Sequence, residues 1–114
     1  DTELVPKPKR PIFVVVAKET PEQQWKLKTF VLKLMHNMLR DSPVTLLLAG
    51  EGTVSKQFAR ASKHNAIGVI VVGLQEMEGN YVNVKNMDDS SESLVSLSDL
   101  QDYVVTHFFL LSSR

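Results

Sequence analysis

PVTLLLAGEGTVSKQFARASKHNAIGVIVVG, residues 43–73, alternates two apolar runs around one amphipathic segment. PVTLLLA (43–49) has the length and β-branched or aliphatic content of a buried strand, and IGVIVVG (67–73) has the same character. Gly50-Glu51-Gly52 reads as the turn between the first run and a helix over Thr53–Asn65, whose inner face carries Val54, Phe58 and Ala61. A strand that returns through a helix to a second strand of the same sheet is a parallel, right-handed crossover.

The preceding residues repeat the unit. IFVVVAK (12–18) is apolar on both faces, as a central strand is. Thr20-Pro21-Glu22-Gln23 is a helix start, with Thr20 as cap, Pro21 at the first helical position and Gln23 closing a capping box. Leu27, Phe30, Val31, Leu34, Met35 and Met38 then fall on one helical face, and Asp41-Ser42-Pro43 ends the helix. Downstream the pattern changes. Gly79-Asn80 marks a turn, YVNVKN (81–86) alternates with period two, and Asp88–Ser91 turns into a short strand around Ser93–Leu97. Ser98-Asp99-Leu100-Gln101 is a second capping box, opening a helix through Leu111 with Leu100, Val104 and Leu111 inward. The expectation is an α/β domain with a five-stranded mixed sheet and three helices.

Composition narrows the functional classes. A chain of 114 residues with 43% hydrophobic content supports one packed core, and no apolar run approaches the roughly 18 residues of a membrane span. Thirteen basic and thirteen acidic side chains give a formal net charge of zero. A protein that held nucleic acid by phosphate neutralisation alone would be basic, so any RNA role here rests on a local patch and on base contacts. Without cysteine there are no disulfides, thiolate metal sites or thiol nucleophiles. The polar beginning does not read as a secretory leader, and a cytoplasmic location is expected. Pro6, Pro8 and Pro11, interleaved with Lys7, Lys9 and Arg10, read as a semi-rigid inter-domain linker over residues 1–11, with the domain proper over 12–114.

The chemistry-bearing patterns point to binding. His36, His64 and His107 fall in separate helices at no metal-ligand spacing, so neither a metal nor a catalytic site is expected, nor a cofactor. The turn Ala49–Lys56 stands where α/β folds hold phosphate, yet it has neither glycine fingerprint of a nucleotide loop. Lys56, Arg60, Lys63 and His64 share one face of the second helix, and no acid lies between Thr53 and Asn65. That stripe is either a solvated face or a contact for phosphates. Beyond Gly73 an acidic loop carries Glu76 and Glu78, and Lys85 follows on the next strand. Glu76 and Lys85 are expected near one another at a sheet end, as an acceptor and a donor for base edges.

TVSKQFARASKHNAIGVIVVG (53–73) followed by EMEGNYVNVKNM (76–87) resembles the C-terminal part of bacterial histidyl-tRNA synthetases, with Lys56-Gln57-Phe58-Ala59-Arg60-Ala61 the best local match. The likeness runs from about Pro11 to Val105. It implies a three-layer fold of the anticodon-binding-domain kind, shared with threonyl-, prolyl- and glycyl-tRNA synthetases, that clasps the anticodon end of a tRNA. A separate class II domain of the same chain would do the catalysis. The implied partners are tRNA, specifically tRNA-His, that catalytic domain and a second copy of the parent, with no membrane. The family's loop acid and strand base fall on Glu76 and Lys85, joined as contact candidates by Lys56, Gln57, Arg60 and Lys63. A second reading is a synthetase-like protein-interaction or dimerisation module without RNA binding, using Phe108, Phe109 and Leu110. A third, a flavodoxin-like enzyme, needs a glycine-rich or carboxylate-bearing strand end, and the first three strands offer only Glu19 and Glu51.

Overall fold

The computed structural model describes residues 10–17, 21–41, 46–49 and 52–110. Five strands form one sheet in the order β2-β1-β3-β4-β5. β1 (Ile12–Val16) lies inside the sheet and pairs in parallel with β2 (Leu46–Leu48) and β3 (Gly68–Val72). β4 (Tyr81–Asn86) and β5 (Glu92–Ser96) add antiparallel to β3 and to each other. The parallel strands are joined through α1 (Pro21–Asp41) and α2 (Val54–Lys63). The mixed sheet therefore follows the change in pattern at residue 73, where both-face apolar runs give way to alternation.

Side chains alternate across the sheet and define two cores. On one face Ile12, Val14, Leu46, Ile70, Val72, Val82, Val84 and Val95 pack under Leu27 and Val31 of α1. Leu100 and Val104 of α4 (Leu100–Val104), and Phe108 from the π-helical segment Val105–Leu110 that continues it, complete this core. On the other face Phe13, Val15 and Val69 meet Ala49, Ala61 and Ala66, with Val54 and Phe58 of α2 half-buried against them. Helices on both sides of the sheet make three layers.

Several local expectations change. A short helix, α3 (Leu74–Gly79), occupies the stretch read as an acidic loop, and Asn80 ends it in the left-handed conformation (φ 58°). β5 lies one residue earlier than Ser93–Leu97. The helix near residue 100 is preceded by Asp99, not Ser98, and Asp99 makes no side-chain cap. Its carboxylate accepts from the Ser96 hydroxyl instead, at 3.0 Å, so the Ser98–Gln101 capping box does not form. Phe108, one turn beyond Val104, fills the inward position expected of Leu111, which lies outside the described residues, as do the Thr20 cap and the Gln23 and Met38 side chains. Among the described residues no helix is long and apolar enough to cross a membrane.

Candidate nucleic-acid interface

The second helix starts cleanly: the Thr53 side chain accepts from the Lys56 N–H, and Arg60 and Lys63 lie near the last carbonyls, where cations are favoured. The side chains of this helix then divide among three tasks. Gln57 is only 2% exposed. Its Oε1 accepts from the Val16 N–H at 3.0 Å, and its Nε2 donates to the carbonyls of Val16 at 2.8 Å and Gly52 at 3.0 Å. β2 pairs with β1 as far as Val14, and among the described residues no strand lies beside the next outward-facing peptide groups of β1. The Gln57 amide takes the place of that missing strand. Every described polar bond of this RNA-contact candidate is internal.

Arg60 has a related task. Its guanidinium donates to the carbonyl of Ala49, where the chain leaves β2, and the side chain is half-buried. Gln57 and Arg60 together close the truncated end of the β1–β2 ladder, so the most family-like stretch of the chain is engaged in holding the fold. Lys56 and Lys63 remain as exposed cations of the stripe. The backbone N–H of His64 caps α2 on the Arg60 carbonyl, and its ring stacks on Phe13 with centroids 5.7 Å apart.

Lys85 lies on the opposite flank of α2. Val82 and Val84 of β4 point into the α1 core, so Tyr81, Asn83 and Lys85 point to the α2 side. The Lys85 ammonium sits 5.3 Å from the centroid of the Phe58 ring, a cation–π contact that fixes a long side chain over an aromatic face. Asn83 donates to Glu92 Oε1 at 2.8 Å, and Leu94 beside it is 69% exposed. The α2-side surface of β4 and β5 thus carries a cation on an aromatic ring, an amide, a carboxylate and an open leucine. Asn83 and Phe58 were not singled out as contacts from sequence, although the period-two pattern of residues 81–86 already placed Asn83 and Lys85 on one face.

Glu76 is not beside Lys85. Its Oε1 accepts from the Gly73 N–H at 2.8 Å, so the carboxylate holds the first turn of α3 at the far end of β3. Lys85 is opposite Val69 in the β3–β4 register, and Gly73 is four residues further along β3. At about 3.3 Å per residue the two sites are separated by about 13 Å along the strand. The expected acceptor–donor pair is therefore split between two ends of the sheet.

Arg10 is anchored at the Lys85 end. Arg10 makes a bidentate pair with Asp88, at 2.9 and 2.8 Å, and donates to the carbonyls of Asn65 at 3.0 Å and Ala66 at 3.1 Å. The hydrogen bond from Arg10, with a smaller contribution from its charge, holds the Asp88 carboxyl below its usual range. Phe108, which only the second, interaction-module reading placed on an interface, is 2% exposed and packs in the domain's own core. Phe109 and Leu110 are outside the described side chains.

The described residues thus form a three-layer α/β domain with an open polar strand face beside a basic helix. The family model for the anticodon binding domain matches residues 11–107, and the chain belongs to that family. Among solved structures it is similar to apo histidyl-tRNA synthetase from S. aureus, with a TM-score of 0.68 and 25% identity over 83% of this chain and 26% of that one. It is also similar to the histidyl-tRNA synthetase from Nostoc sp. PCC 7120, with a TM-score of 0.74 and 19% identity over 87% of this chain and 22% of that one. The chain thus spans about a quarter of the length of these structures. No curated protein matches it significantly.

Proposed function

We propose that this chain is the tRNA-recognition module of a histidyl-tRNA synthetase, acting on the anticodon end of tRNA-His while a class II catalytic domain of the parent, itself acting as a homodimer, attaches the amino acid. A cytoplasmic location goes with that role. What carries the reading is the family match over residues 11–107, taken with the open α2-side face of β4 and β5. Unpaired anticodon bases present stacking faces and hydrogen-bonding edges. Phe58 under Lys85, with the Asn83 amide two residues away on the same face, offers the complementary groups. Lys56 and Lys63 are the phosphate contacts in this scheme, which position the RNA without reading it. Gln57, Arg60 and Glu76 act through the fold: the first two close the β1–β2 ladder and the third holds α3.

The test is binding of the chain to tRNA-His and to a version with an exchanged anticodon. Lys85→Ala is expected to bring the two affinities together. The double variant Lys56→Ala, Lys63→Ala is expected to weaken both by a similar factor and leave their ratio intact. A Lys85→Ala chain with unchanged discrimination would remove the base-reading role from this face.

A further inference from the structure

β5 is the outer strand of the sheet on the β4 side; among the described residues no strand pairs with its outer edge, which has a regular, self-complementary form. The Asn86 N–H donates to the Ser91 carbonyl and the Leu97 N–H donates to the Asn80 carbonyl. With the β4–β5 register, these bonds place the peptide groups of residues 91, 93, 95 and 97 toward β4. Glu92, Leu94 and Ser96 therefore direct their N–H and C=O groups away from the sheet. Of these six groups, the Ser96 carbonyl already accepts from the Asp99 N–H at 3.0 Å. Natural edge strands are usually blunted by proline, lysine or a bulge. Glu92–Ser96 carries none of the three and one charged side chain, Glu92, at its first position; its residues pair one-to-one with β4, and its central residue is Leu94, 69% exposed.

We infer that β5 pairs antiparallel with β5 of a second copy of this chain, about a two-fold axis at Leu94. The register follows from the outward groups, which are symmetric about residue 94. Leu94 then opposes Leu94 of the other copy as a hydrogen-bonded pair that exchanges two N–H···O bonds. Glu92 opposes Ser96 on each side, and each Ser96 N–H finds a Glu92 carbonyl. Four main-chain bonds form, the two exposed leucines cover one another, and no like charges stand opposite within the strands. Flanking the strands, Asp89 of each copy comes toward Asp99 of the other, so salt is expected to strengthen the contact. A single five-residue edge buries far less than the roughly 1,000 Å² of a stable interface, which makes the association weak, on the order of 100 µM.

The consequence is specific to this fold. An axis normal to the sheet keeps the α2-side faces of both copies on the same side. The two open faces bearing Asn83 and Lys85 then join into one continuous surface between two α2 helices. This surface is not the one that the second reading of the sequence placed at residues 108–110, and Phe108 is internal.

Because the chain has no cysteine, Leu94→Cys introduces a single thiol that reports the axis directly. Residues opposed across a hydrogen-bonded pair lie about 5.5 Å apart at Cα, within the range a disulfide spans. Leu94→Cys is expected to form a disulfide dimer at least about tenfold faster than Leu32→Cys, an exposed control on α1, because pairing raises the local thiol concentration. Sedimentation equilibrium of the unmodified chain should show reversible dimers at high concentration, favoured by salt. Leu94→Lys, at a position with little burial to lose, should abolish them while circular dichroism stays unchanged. Monomers at every concentration, or equal crosslinking of the two cysteine variants, would overturn the proposal. A dimer that persists in Leu94→Lys would overturn it as well.

Discussion

Gln57 holds three hydrogen bonds with an amide that almost no solvent reaches, and two of its partners are the N–H and C=O of one residue, Val16. Gln57→Leu fills a similar volume but leaves those groups buried without partners, at a cost of about 1–3 kcal/mol each for groups fully cut off from water. The urea midpoint is expected to fall accordingly. Gln57→Glu is expected to fall further at neutral pH, because a carboxylate cannot donate to the carbonyls of Val16 and Gly52. A stable Gln57→Leu chain with impaired RNA binding would return the residue to the contact set. Arg10 and Asp88 give a second residue-level expectation. The Asp88 pKa is lowered in the folded chain, so the pair adds stability above the ordinary carboxylate pKa and loses it as pH falls through the lowered value. Both side chains are substantially solvated, which keeps the ion pair itself below about 1 kcal/mol. Arg10→Ala also forfeits the bonds to Asn65 and Ala66. In urea titrations its deficit relative to the parent chain should shrink between neutral and strongly acidic pH, without vanishing. A deficit independent of pH would mean that the carbonyl bonds carry the whole effect.

The helical turn around Phe108 shows how one element depends on an absent side chain in another. A Cβ placed on Gly68 at the start of β3 would lie 2.7 Å from two ring atoms of Phe108. Gly68→Ala therefore requires the π-helical segment to shift, an overpacking cost of about 1–3 kcal/mol. Phe108→Leu in the same chain should recover part of the loss, and thermal denaturation of the single and double variants measures the coupling. Strict additivity would show that the ring is not what Gly68 accommodates. Elements of this kind were only partly legible in the sequence. The five strands, α1 and α2 follow from both-face runs, alternation and three- and four-residue spacing, which are signals of burial. α3 has six residues and buries none of them, so LQEMEG offered no periodicity to detect. Its signals were the residue that reaches back to Gly73 and the left-handed Asn80, and both are equally at home in a turn. The supposed meeting of Glu76 and Lys85 failed for a different reason. Sequence order says which strands turn back, while the pairing register that separates these two residues is set by packing on both faces. Gln57 and Arg60 were legible as polar residues on a helix, and nothing local revealed that β2 ends early and leaves backbone groups for them to meet.

Across the whole molecule, charge is balanced in number but not in place. Lys26, Lys28 and Lys33 are exposed on α1, on one side of the sheet, and Lys56, Lys63 and Lys85 lie on the other. The proposed site uses only the second group, which bounds how strongly salt can act. Each lysine that neutralises a phosphate of single-stranded RNA contributes about −0.7 to the slope of log affinity against log salt concentration, so Lys56 and Lys63 give a slope of about −1.4. A binder built on phosphate contacts alone would show a much steeper dependence. Titrating tRNA-His binding over a range of salt concentrations measures this directly. Lys56→Ala with Lys63→Ala is expected to reduce the slope by about 1.4, and Lys26→Ala with Lys28→Ala to leave it unchanged. The reverse result would move the RNA to the α1 side of the sheet. A slope that both pairs reduce would mean that the RNA wraps the domain rather than resting on one face. A slope near −1.4 that responds only to the α2 lysines fits a neutral domain whose affinity comes from stacking and base edges, with tethering to the rest of the protein supplying the remaining effective concentration.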